Sequence, residues 1–267
     1  STGGTLSASG FSIGAAGKVN ILGGSLILPA GGIAANGAAF TTSNAAVSLA
    51  GALAVADTWT STNTNLSLTD DAILSSTAPL SLGTLATNGK DFKLANGTTD
   101  LTLANSFTLS SGKLSTQGGD LIFAGSANIS DNASLDATVA TGTAGKLEFK
   151  QGGTSSGTID ARNATFKLGA DYAVDGTLIT NSGTTWELGV AQAPSKLDLS
   201  GGLLLLGGNV VLDNVNTDNQ TKFILNGENA TISKAGALVL KLIGIDGYTL
   251  TLNNAITSLT ADNIYLS

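Results

Sequence analysis

The feature that most constrains this chain is an apolar alternation of period two, cut by corner residues mostly every six to eight residues. Residues 196–212, Lys-Leu-Asp-Leu-Ser-Gly-Gly-Leu-Leu-Leu-Leu-Gly-Gly-Asn-Val-Val-Leu, show the unit. Leu197 and Leu199 are followed by Gly201-Gly202, then by Leu203–Leu206, Gly207-Gly208, and Val210 with Leu212. Residues two apart share one face of a strand, and glycine lowers the steric cost of turning. Units this short leave no room for helices joined by loops. They predict strand, corner, strand, corner.

A longer period overlies the short one. Phe92 to Leu114 is 22 residues, Leu101 to Leu121 is 20 and Phe107 to Ile129 is 22. Further on, Leu147 to Phe166 is 19, Phe166 to Trp186 is 20 and Ile159 to Leu178 is 19. Three short strands per coil of about 19–22 residues predict an all-β parallel β-helix, a β-solenoid in which each coil stacks on the last. The 267 residues then make roughly thirteen coils, a rod about 60 Å long at a strand spacing of about 4.8 Å. The expected organisation is a single solenoid over residues 1–267, with loops protruding at Thr141–Gly145 and Ala191–Ser195. The Ala-rich run Ser43–Asp57 is assigned to strands, because Val47-Ser-Leu49 alternates and Gly51 interrupts it. The competing fold is a β-sandwich or tandem sandwiches. Asn36-Gly37, Asn88-Gly89, Asn96-Gly97 and Asn226-Gly227 are hairpin signals that favour it, whereas a sandwich normally spaces its turns about 8–12 residues apart.

Composition fits a narrow rod. Hydrophobic residues are 42% but aromatics only 5%, so aliphatic side chains must fill the core. Charged residues are 12%, about half the usual quarter. The net charge of −7 argues against nucleic acid or an anionic membrane surface as partner. With no Cys and no His, disulfides, zinc sites and Ser-His-Asp catalysis are excluded. No run of 18 apolar residues could span a membrane as a helix. Residues 1–15 show no basic or apolar signal region, and a start at Ser1 suits a mature or excised product. An acidic, Cys-free chain rich in Thr, Asn and Gly suggests an extracellular place on a bacterial cell surface.

Residues 99–112, Thr-Asp-Leu-Thr-Leu-Ala-Asn-Ser-Phe-Thr-Leu-Ser-Ser-Gly, carry a Leu-x-Leu-x-x-Gly pattern. It resembles the degenerate repeats of large secreted bacterial β-helix proteins, the filamentous-haemagglutinin-like adhesins and autotransporter passenger domains. The resemblance implies a right-handed parallel β-helix, export and a role at the cell surface.

Polysaccharide lyases and glycosidases also use such scaffolds, but they need paired carboxylates, basic residues or Ca²⁺ on one outer face. Here the acids stand mostly alone near predicted corners, and Asp70-Asp71 is the only adjacent pair. Asp171 and Asp175 flank Tyr172 and, with Lys167, could line a groove. Three or more acids gathered there would favour a carbohydrate-active enzyme or phage-tail depolymerase. Gly118-Gly119-Asp120 is an unrepeated fragment of a calcium repeat, and Thr58-Trp59-Thr60 is one unit of a Thr-x-Thr array without stacked copies. Trp59 and Trp186 read as packing residues, since a sugar-stacking platform would need them exposed and close together. The expectation is therefore no catalytic residue, no metal and no cofactor. The protein reads as a structural adhesin or a surface-filament or matrix subunit, acting by self-association or surface attachment. Surface carbohydrate is a second partner class, and a passive carbohydrate-binding module is a further alternative.

The expected interface lies in the C-terminal third. With Leu203 and Leu205 inside, Leu204 and Leu206 face out; with Leu238, Leu240 and Leu242 inside, Val239 and Ile243 face out beside Lys241. Earlier strands place Thr at such positions, as in Leu101-Thr-Leu103. Leu204, Leu206, Val239 and Ile243 would thus form a contact surface for a second copy, giving a head-to-tail homo-oligomer or filament. The alternative is that residues 214–229 of the same chain cover the patch.

Overall fold

A computed structural model describes residues 4–7, 11–13, 17–28, 33–35, 39–55, 58–76, 78–95, 99–138, 145–188, 195–253 and 255–266. These residues form 30 strands and no helix. The ladders are parallel and step along the chain one coil at a time. Thr5 pairs with Ser25, Ser25 with Ala46, Ala46 with Asn65 and Asn65 with Thr84. A second column runs Leu101, Leu121, Leu147, Phe166, Trp186. A third runs Leu114, Leu135, Ile159, Leu178, Leu204, Phe223, Ile243. The result is a β-solenoid of about 11 turns with three strands per coil. No antiparallel ladder occurs among the described residues, so the sandwich alternative is set aside.

Five of the six anchor spacings are ladder pairs. The exception is Phe107, which pairs with Ala127, while Ile129 pairs with Leu109. The coils number about 11 rather than thirteen, and some are longer than the period suggests. Leu121 to Leu147 and Leu178 to Leu204 each span 26 residues. These steps contain the two predicted loops, of which residues 141–144 and 191–194 lie outside the described residues. An insertion at a corner leaves the ladders on either side intact, which is why a solenoid tolerates it. Asp57, Asn36-Gly37 and Asn96-Gly97 also lie outside the described residues.

Corners are built by residues that accept positive φ. Asn44 (φ 46°), Asn63 (φ 48°) and Asn163 (φ 56°) are left-handed, a conformation that Asn tolerates better than other non-glycine residues. The side chains bond between coils: Asn63 Nδ2 donates to Asn44 Oδ1 at 2.9 Å, and Asn181 Nδ2 to Asn163 Oδ1 at 2.9 Å. Asn88-Gly89 is a turn with both φ positive but joins no hairpin. Gly207-Gly208 does not end a strand. Leu203–Val211 runs through it with a register shift between Leu206 and Gly208. Similar bends, as in Ala46–Val55 and Asn65–Ser76, carry one strand around a corner and merge two faces into a 21-stranded sheet. Sheets of six and three strands complete the rod.

One core cluster runs from Leu26 to Ile243. Its middle holds an aromatic stack: Phe107 meets Phe123 at 5.3 Å between centroids, Phe123 meets Phe149 at 5.1 Å, Phe149 meets Phe166 at 5.7 Å and Phe166 meets Trp186 at 5.7 Å.

Three of the four residues expected to face outward are core residues. Leu204 and Leu206 are 0% exposed and Ile243 is 2% exposed. Leu204 is stacked between the buried Leu178 and Phe223, so this column sets the parity, and Leu203 and Leu205 are the outward, half-buried pair. Ile243 is inside because Lys241 and Leu242 are both half-buried at a bend, which shifts the alternation by one. Val239 alone faces out, half-buried, as expected.

Candidate functional site

Six of the acids bond from one coil to the next. Asp71 Oδ1 accepts the Asp91 N–H at 2.9 Å, and Asp91 Oδ1 accepts the Lys113 N–H at 2.8 Å. Asp100 does the same for Asp120 at 2.9 Å, and Asp120 for Lys146 at 2.9 Å. Asp171 holds the Lys196 N–H at 2.8 Å and Asp213 the Ala235 N–H at 2.7 Å. Each carboxylate is a charge-assisted clamp from one coil to the next. Asp70-Asp71 lies at the bend of Asn65–Ser76, where Asp70 accepts the Asp71 N–H and lies 3.4 Å from Lys90 Nζ. These bonds and the Lys90 charge hold the Asp70 carboxyl below its ordinary pKa. Asp120 of Gly118-Gly119-Asp120 also pairs with Lys146 Nζ at 3.4 Å.

The groove imagined around Tyr172 does not gather its predicted members. Tyr172 is 1% exposed, and its hydroxyl donates to the Thr154 carbonyl at 3.2 Å. Burial pushes its pKa upward. Lys167 is on the six-stranded sheet, between Glu148 (3.6 Å) and Glu187 (3.4 Å). A cleft of about 190 Å³ does hold Asp171, Lys196 and Asp198 beside Tyr172. It brings together two acids rather than three, and Asp175 is not among the residues lining it.

The two tryptophans differ. Trp59 is 3% exposed, packs edge-on to Phe40 at 5.2 Å and donates Nε1–H to Thr42 Oγ1 at 2.8 Å. Trp186 is half-buried on the last strand of the six-stranded sheet, Thr185–Leu188. Its shielded Nε1–H has no hydrogen-bond partner. Among the described residues no strand pairs beyond it, and a cleft of about 170 Å³ opens there, lined by Trp186, Leu188, Val211, Asp213 and Asn214. Nothing in the local sequence around Trp186 signals this grouping, because Asp213 and Asn214 are contributed by a later coil.

In the first and last described coils, residues in register with the core are exposed. Leu6 stands in register with Leu26, which is 0% exposed, yet is itself 45% exposed. Ile264 stands in register with Ile243, which is 2% exposed, yet is itself 55% exposed. Among the described residues, Thr5–Ser7 and Ile256–Leu266 each have one ladder partner. Tyr265 (61%) and Leu266 (75%) extend the apolar surface in the last of these coils, Leu22 (59%) in the first. Among the described residues no three His, Cys, Asp or Glu side chains gather as a metal site, and no helix is long and apolar enough to cross a membrane. No family model, curated protein or solved structure matches the chain.

Proposed function

We propose that the chain is a non-catalytic structural protein of a bacterial cell surface, an adhesin or filament subunit that acts by self-association or surface attachment. The observation that carries this reading is the aliphatic outer column of the last coils, in which Ile179, Leu205 and Ile224 stack on one another, half-buried, with Val239 also facing out. Apolar residues gathered on an outer face mark a contact surface. Export and bacterial origin rest on the composition and on the Leu-x-Leu-x-x-Gly resemblance.

The test is light scattering and electron microscopy over a concentration series. Wild-type protein should form assemblies that grow with concentration. Leu205→Lys, on the outer column, should yield monomers with unchanged circular dichroism. A wild type that stays monomeric at millimolar concentration defeats the reading.

A further inference from the structure

We infer that the cleft at Trp186 is a binding site for a single neutral pyranose ring. It does not rest on the proposed self-association, since the cleft is lined by Trp186 and Leu188 of the last strand in the six-stranded sheet and by Val211, Asp213 and Asn214 of a later coil.

The argument starts from the aromatic stack. Every earlier ring of that stack, Phe107, Phe123, Phe149 and Phe166, is a phenylalanine of at most 2% exposure. Only where the sheet stops does the stack end in an indole, and that indole lines an opening. A residue present for packing alone would be served by phenylalanine. The larger ring instead brings an N–H that finds no partner, and leaving such a group unpaired costs about 1–3 kcal/mol. Trp59, by contrast, is closed over and satisfied.

The chemistry of the walls selects the ligand. Trp186, Leu188 and Val211, which is 52% exposed, make an apolar floor suited to the C–H face of a sugar ring. Asp213 and Asn214 form a polar rim on one side. Asp213 Oδ1 is engaged by the Ala235 N–H, which fixes the carboxylate and leaves Oδ2 to accept from hydroxyls. The Lys234 ammonium donates to the Leu212 and Val215 carbonyls at 3.1 and 2.8 Å and lies close enough to Asp213 for their charges to interact, so this rim offers an anionic ligand no unpaired cation. The cleft holds about 170 Å³, well under the roughly 300–1,000 Å³ of sites for larger ligands. One ring fits, and the paired Asp213 and Lys234 leave nothing on the rim to capture the carboxylate of a uronic acid.

The test uses full-length Trp59→Phe protein, in which Trp186 emission reports alone. It is titrated with D-glucose, D-galactose, D-mannose, N-acetyl-D-glucosamine and D-glucuronate. At least one neutral sugar should change the emission saturably with a Kd of about 1–10 mM, and glucuronate should bind at least fivefold more weakly than the best of them. Asp213→Asn should weaken binding at least fivefold. Val211→Trp, which fills the cleft from an exposed position, should abolish it with the circular dichroism unchanged. Ligand-observed magnetisation-transfer NMR reads the same variants without relying on fluorescence. No saturation by any neutral sugar up to about 100 mM, a hundredfold above the low end of that range, overturns the proposal. So does binding that survives Val211→Trp.

Discussion

The middle coils and the last coils share one inward pattern and differ on the outside. A single outward column passes through both. It runs Ser115, Asp136, Asp160, Ile179, Leu205, Ile224. In the middle, two acids stack directly on one another, and each has its own cation. Lys113 Nζ lies 2.6 Å from Asp136 Oδ2, and Arg162 Nη2 lies 2.6 Å from Asp160 Oδ2. In the last coils the same column is aliphatic and half-buried. The comparison teaches that the stacking of coils dictates what points inward, while the outer column is free to change chemistry from coil to coil. Like charges one above another are destabilising unless neutralised, whereas aliphatic neighbours in a column shield each other from water.

The sharpest way to break this comparison is to exchange inside for outside in the last coils. Leu204→Lys places a charge in a column that is 0% exposed, where an unpaired ion costs several kcal/mol. The expected result is loss of soluble folded protein. Leu205→Lys, one residue on and half-buried facing outward, should fold with a midpoint close to wild type in urea. Equal damage from both would mean that the parity is not set by the Leu178–Leu204–Phe223 column.

In the middle coils, Phe149 touches Phe123, Phe166 and Tyr172, the last at 4.3 Å between centroids. Phe149→Ala should cost about 3–5 kcal/mol, measured by urea unfolding. Leu240→Ala in the aliphatic coils should cost about 2–5 kcal/mol. A Phe149→Ala cost below that of Leu240→Ala would show that the aromatic stack adds nothing beyond its volume.

The smallest expected effect is confined to acid pH. Burial of Asp136 would raise its pKa, but the Lys113 ion pair and the bonds from Thr138, with Thr138 Oγ1 donating at 2.6 Å, outweigh it and hold the carboxyl below its ordinary value of 3.8. A lowered folded-state pKa contributes stability that is complete above the ordinary value and lost as pH falls through the lower one. Melting temperature should therefore drop as the pH falls below about 4, the ordinary carboxylate value. Asp136→Asn should lie below wild type at pH 6 and converge on it at the acid end. A constant gap across that range would show that the ion pair does not supply the pH dependence.

The period and the parallel order were legible because stacked coils must repeat their spacing, and Phe92–Leu114, Leu101–Leu121 and Leu147–Phe166 did so. Parity was legible only where a polar residue marked the outside, as Thr102 does between Leu101 and Leu103. Leu203 to Leu206 are four leucines in a row, so nothing local distinguishes in from out. Only the neighbours one coil away, Leu178 and Phe223, decide it. Ile243 misled for a different reason, since a bend at Lys241-Leu242 breaks the alternation that was extrapolated across it. The Trp186 cleft was hidden because it depends on where a sheet stops, and Val211, Asp213 and Asn214 reach it from a coil further along the chain.

Because the coils are clamped mainly to their neighbours, through ladders and through carboxylates such as Asp71, Asp91 and Asp120, with Glu228 reaching past Gly207 to the Ser182 N–H two coils away, the rod has a mechanical grain. Pulled by its two ends, it should peel one turn at a time like a thread leaving a spool. Each ordinary turn of about 20 residues would lengthen the thread by about 70 Å at roughly 3.3–3.6 Å per residue. The two turns with 26-residue steps would release about 90 Å each on the same scale. A force–extension trace would therefore carry the positions of the two insertions as a pair of long teeth in an otherwise even saw.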